Sequence, residues 1–189
     1  MEKLEKILSG HVYTLVRRSL EDRAFNYLEI GVFNGVGFSA MAKQFPDKKC
    51  YAIDPFIEDG HTVDCSNVQS GDEMTLQKAS ALAYISECSN ASIEVVTSHQ
   101  FLKELTPEKI KQLNVGVVLI DGNHHYDFVV NDYKLALMLI GDKGGYIIFD
   151  DTDKKEVARA FNEFHEIYEP RIIETDVVAT CILVKLKPL

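Results

Sequence analysis

Apolar residues recur along this chain with two periods, and the pattern switches repeatedly between them. Leu4, Leu8, Val12, Leu15 and Val16 fall at helical spacing, which predicts an amphipathic helix over residues 1–20. From residue 25 onward, short apolar runs alternate with helix-spaced segments. Strands are predicted at 25–31, 50–54, 93–97, 115–120 and 146–149, then at 171–174 and 181–185. Helices are predicted over 36–44, 72–88, 123–140 and 154–168. Thr106-Pro107-Glu108 opens a further short helix, with Thr as the cap and Pro in the first turn. The run Val115–Ile120 is apolar apart from one Gly, as a parallel strand covered on both faces should be. This rhythm predicts an α/β fold with a doubly wound, seven-stranded, mostly parallel sheet. Only Asp176–Thr180 separates the last two strands, a link short enough for a C-terminal antiparallel hairpin. Residues 55–71 show no period and are expected to form a loop or lid.

Composition narrows the function. A chain of 189 residues fits a single domain spanning 1–189. With 46% hydrophobic and 26% charged residues it has the makeup of a folded domain and not of a disordered one. Its 20 Lys and Arg against 29 Asp and Glu give a net charge of −9, which argues against a phosphate-tracking, nucleic-acid-coating surface. The apolar runs are strand-sized and far short of the ~20 residues a spanning helix needs. Met1–Ile7 is charged with both signs and lacks a signal-peptide core. Cys50, Cys65, Cys88 and Cys181 are widely spaced and form no CxxC pair, so reduced thiols are expected. A cytoplasmic protein with neither a nucleic-acid nor a membrane partner is the resulting expectation.

In an open α/β sheet, ligands bind outside the carboxyl ends of the strands, where strand order reverses. After the first predicted strand comes Glu29-Ile30-Gly31-Val32-Phe33-Asn34-Gly35-Val36-Gly37, a glycine loop preceded by a carboxylate. Asp54 follows the second strand, placed to accept hydrogen bonds from ribose hydroxyls. The loop is not G-x-G-x-x-G, and Phe33 within it suits a ligand without a pyrophosphate. Nicotinamide-dependent redox chemistry is disfavoured on that ground. Asp121 ends the fourth predicted strand, and Asp150 and Asp151 end the fifth. Three converging carboxylates repel one another unless protons or a cation intervene, and a hard divalent ion such as Mg²⁺ is one economical answer. The other is that one Asp contacts the cofactor or caps the following helix.

Glu29–Gly35 followed by Asp54 resembles the nucleoside-binding loop of class I S-adenosylmethionine-dependent methyltransferases. The stretch Leu119–Tyr126, then Asp132, Gly144-Gly145 and Phe149-Asp150-Asp151, is similar to one branch of them. That branch holds small-molecule O-methyltransferases of the macrocin, aminocoumarin-sugar and cephalosporin-pathway type. The resemblance implies a Rossmann-like fold and S-adenosylmethionine as cofactor. It implies that Glu29, Gly31 and Gly35 line the methionine end, that Asp54 binds the ribose, and that Ser98 lies near the adenine. It further implies Mg²⁺ ligation by Asp121, Asp150 and Asp151, and a hydroxylated small-molecule acceptor.

The chain departs from the sugar-methylating pattern at Asn123, which cannot accept a proton at neutral pH. His124, three residues after Asp121, stands where the catechol-type relatives carry a lysine base. An imidazole titrates near neutrality and can do that work, so His124 is the candidate base, with His125 next. Either histidine could instead cap the helix or merely touch the cofactor. Asn123 also leaves open a cofactor-binding protein without methyl transfer, either a hydroxylase-like relative or a binding-only one. Tyr126 and Asp132 match the branch pattern but read as packing residues on the following helix. The 55–71 loop carries Glu58, Asp59, His61 and Asp64, which could add ligands. With no large N-terminal capping region expected, the acceptor pocket is either open or completed by that loop, by the N-terminal helix or by a second subunit of a homo-oligomer.

Overall fold

The structure is a computed structural model that describes residues 10–21, 25–56 and 71–189. Leu4 and Leu8, the lid expected over 55–71, and Cys65 with the loop carboxylates and His61 lie outside the described residues, apart from Pro55, Phe56 and Gly71. Helix α1 spans His11–Glu21 and buries Leu15, Val16 and Leu20. Then follow β1 (Asn26–Ile30), α2 (Val36–Gln44), β2 (Cys50–Ile53), α3 (Gly71–Ser86) and β3 (Ala91–Glu94). Next come α4 (Ser98–Lys103), α5 (Pro107–Leu113), β4 (Val115–Ile120), α6 (Tyr126–Ile140) and β5 (Gly145–Phe149). Helix α7 (Lys155–Tyr168) precedes the hairpin of β6 (Ile172–Val178) and β7 (Cys181–Leu186).

The strands form one seven-stranded sheet in the order β3-β2-β1-β4-β5-β7-β6. The first five are parallel, while β7 runs antiparallel to both β5 and β6. This is the predicted Rossmann-like sheet with its C-terminal hairpin. Side chains alternate across the sheet, so β4 sends Val117 and Leu119 to one core and Val118 and Ile120 to the other, while an irregularity at Gly116 puts Val115 on the second side. The first core packs against α1, α2 and α3, and the second against α4 to α7.

Several boundaries moved, for local reasons. Strand β3 begins at Ala91, two residues before the predicted start. The Asn90 side chain donates to the carbonyls of Ala42, Phe45 and Lys48 and fixes the chain just ahead of the strand. Helix α4 was missed, although Thr97 and Gln100 form a reciprocal capping box there. Helix α6 starts three residues later than expected, because the Asn123 side chain accepts from the His125 amide and holds a turn. Strand β6 extends through Asp176, and its turn shrinks to Ala179-Thr180, with Ala179 at φ +54°. An edge strand tolerates such charges, and Asp176 pairs with Arg18 of α1 at 2.6 Å.

Cys50, Cys88 and Cys181 are buried free thiols. No helix among the described residues is long and apolar enough to cross a membrane.

Candidate active site

The strand register levels one edge of the sheet. Ile30 pairs with Ile53 and Ile120, and Ile120 pairs with Phe149. The residues just beyond continue the ladder: Gly31 N donates to Ile53 O, Asp121 N to Ile30 O, and Asp150 N to Ile120 O, at 2.9–3.0 Å. Gly31, Asp54, Asp121 and Asp150 thus start their loops side by side. Strand order reverses between β1 and β4, and a cleft of about 440 Å³ opens there. Its lining includes Glu29, Gly31, Phe33, Asp121, His124 and Asp151 from the predicted set, together with Tyr13, Val32, Asn34, Gly37 and Gly122. A volume of this size suits a small organic ligand.

The glycine loop is shaped by close approach. Gly31 has φ +85°, and a Cβ there would lie 2.2 Å from the Asp121 carbonyl oxygen. Gly35, at φ +76°, is the residue before α2, and a Cβ there would meet the Ala81 Cα at 2.7 Å. Phe33 is more than half exposed at the rim with φ +52°, an unusual setting for a bulky residue. Asp54 holds this loop from behind. Its Oδ2 accepts from the amides of Val32 (2.9 Å) and Phe33 (3.3 Å), and its Oδ1 accepts from Phe56 (2.8 Å). Oδ1 keeps a second lone pair that can accept a further hydrogen bond.

Glu29 is almost fully buried. Its Oε2 accepts from the Tyr27 hydroxyl at 2.6 Å and its Oε1 from the Tyr13 hydroxyl at 3.1 Å. Burial raises its pKa to about 7, and the two phenols oppose that rise. Asp121 is pushed further, to about 9, by burial first and then by Asp150, Glu29 and Asp151. Sequence reading missed both tyrosines. Tyr27 had a signal, since a residue two before Glu29 on a strand shares its face. Tyr13 had none, because its contact depends on how α1 docks.

His124 and Asp151 meet across the loops after β4 and β5, with Nε2 2.9 Å from Oδ2. The expected metal set is therefore engaged otherwise here. Asp150 Oδ1 accepts from the Asp151 amide (2.7 Å) and the Cys181 thiol (3.0 Å). Among the described residues no three donors are set around a common point. The donor types alone would suit a hard cation, since Asp121, Asp150 and Asp151 bring carboxylate oxygens to two adjacent strand ends.

Of the predicted site residues, Gly35, Asp54, Ser98, His125 and Asp150 are not among those that line the cleft. His125 is the N-cap residue of α6, and its carbonyl accepts from the amides of Phe128 and Val129. Ser98 opens α4, is buried, and accepts from the Asn131 side chain at 3.0 Å.

Residues 28–152 match the family described as "Methyltransferase domain". The chain belongs to this methyltransferase family. The matched span runs from β1 through the carboxylates after β5, so it holds every predicted site residue. An uncharacterized protein of Acanthamoeba polyphaga mimivirus is 28% identical to this methyltransferase domain over 145 residues, 76% of this chain and 59% of that protein. The chain thus spans about three-fifths of that curated relative's length. Among solved structures, the calicheamicin methyltransferase CalS11 superposes with a TM-score of 0.64 at 15% identity, covering 97% of this chain and 79% of that one. MycE of the mycinamycin biosynthetic pathway, solved with Mg, S-adenosylhomocysteine and mycinamycin VI, gives 0.60 at 14% identity over 98% of this chain and 53% of that one. At these identities the likeness establishes the class I methyltransferase fold.

Proposed function

We propose that this methyltransferase domain transfers the methyl group of S-adenosylmethionine to a hydroxyl of a small molecule, with His124 as general base. The observation that carries this is the His124–Asp151 pair at 2.9 Å in a cleft also lined by the glycine loop and Glu29. When bound, S-adenosylmethionine supplies an electrophilic methyl on a cationic sulfur. Burial favours the protonated form of Asp121; a cationic ligand would favour the ionised forms of Glu29 and Asp121, which would then face its positive end. In this reading Asp54 Oδ1 offers an acceptor to the ribose. Asp151 holds a proton on His124 Nε2, which leaves the Nδ1 lone pair to take the proton of the acceptor hydroxyl. His124 would keep the hydroxyl proton as the acceptor oxygen takes the methyl with loss of the carbon–sulfur bond. Alignment of the two reactants in the cleft supplies much of the acceleration.

A divalent ion would be held by Asp121, Asp150 and Asp151 and would lower the pKa of an acceptor hydroxyl. Asn123, whose side chain is spent on the His125 amide, takes no part as a base.

The test is a screen of hydroxylated acceptors with methyl-labelled cofactor, run with Mg²⁺ and with EDTA, beside calorimetry with S-adenosylhomocysteine. Binding with label transfer supports the reading. Full activity in EDTA removes the metal from it. Binding of NAD instead would overturn it, and binding without transfer to any acceptor would favour a binding-only protein.

A further inference from the structure

The third glycine of the loop, Gly37, sits inside α2 and needs no special backbone conformation. Its missing side chain has another use. A Cβ at Gly37 would lie 2.1 Å from the Tyr13 hydroxyl and 2.3 Å from the Tyr13 Cζ. The glycine makes room for a phenol from α1, and that phenol reaches Glu29. Tyr27 reaches the other oxygen of the same carboxylate. Tyr13, Glu29 and Gly37 all line the cleft.

We propose that Tyr13 is a positioning residue of the cofactor site, clamping Glu29 with Tyr27 so that the carboxylate is presented as an anion to the ammonium group of the cofactor's amino-acid end. This rests on the cofactor assignment made above. A buried carboxylate loses the water that would stabilise its charge, and two phenol donors replace part of it. They also fix the direction of the remaining lone pairs. Helix α1 thereby becomes part of the ligand site although it precedes the matched family span.

The inference is tested by calorimetry with two ligands. S-adenosylhomocysteine carries the amino-acid group, whereas 5′-methylthioadenosine shares its nucleoside and thioether without that group. Tyr13→Phe keeps the ring over Gly37 and removes only the donor. It should weaken S-adenosylhomocysteine about tenfold and leave methylthioadenosine within about twofold. Gly37→Ala, which drives the phenol away, should show the same selective loss. In a Glu29→Gln background, Tyr13→Phe should add nothing. Equal weakening of both ligands marks a packing role and overturns the clamp, as does unchanged affinity in Tyr13→Phe or full additivity with Glu29→Gln. Wild-type protein that binds neither ligand overturns the cofactor reading and the clamp together. Wild-type protein that binds both, with Tyr13→Phe unchanged, overturns the clamp alone.

Discussion

Asp151 is held at φ +52°, in the left-handed region that few side chains other than Asn and Asp enter readily. That backbone setting aims its carboxylate at His124. Asn tolerates the same backbone, so Asp151→Asn should fold normally while losing the charge that stabilises a protonated imidazole. Turnover should fall at least tenfold, with the melting temperature nearly unchanged. His124→Ala should cost about a hundredfold to ten-thousandfold in kcat and leave S-adenosylhomocysteine affinity intact. Unchanged turnover at saturating acceptor would rule out His124 as the base. At Gly31, any side chain meets both a positive φ and the Asp121 carbonyl, so Gly31→Ala should destabilise by about 1–3 kcal/mol in denaturant titration. Acidic residues and glycines at strand ends were legible because their chemistry follows the strand pattern. Asp151's bond to His124 was not, because it depends on how two loops lean toward each other. The same limit hid the Cys181–Asp150 contact, which joins a strand in the hairpin to the loop after β5.

Elements were legible where period and punctuation agreed. Helix α2 and strand β4 have the predicted bounds, and Thr106 caps α5 through the Lys109 amide as its sequence indicates. Elsewhere a hydrophobic run misled, as at Val95 and Val96, which follow β3 instead of forming it. The short α4 carries too little periodicity to be seen, and its capping box was the readable sign. Thr97→Ala should therefore cost about 1 kcal/mol, read as a lowered melting temperature. Helix α1 is fixed mainly by its buried Leu15, Val16 and Leu20. Its Arg18 link to Asp176 is half exposed and worth at most about 1 kcal/mol. Leu15→Ala should cost about 2–5 kcal/mol.

Across the whole molecule, part of the charge of −9 is buried at a cost. Burial raises Glu29 and Asp132 to about 7 and Asp121 to about 9. Groups with raised folded-state values stabilise fully below their unfolded values, and that contribution is lost as pH rises through the folded ones. The ligand-free protein should therefore melt highest in mild acid and lower steadily toward about pH 9. Calorimetric scans across that range check this, and Asp132→Asn should flatten the part below neutrality.

The strand order has a consequence for synthesis. β7 is translated after the other six strands of this sheet, yet it lies between β5 and β6. On the ribosome, β5 keeps an open edge and β6 has no neighbour until residues 181–186 emerge. A nascent chain halted in the β6–β7 turn therefore displays two unsatisfied strand edges, the kind of surface that chaperones cover and aggregates recruit. Completion of the sheet is the final insertion of one strand between two waiting ones.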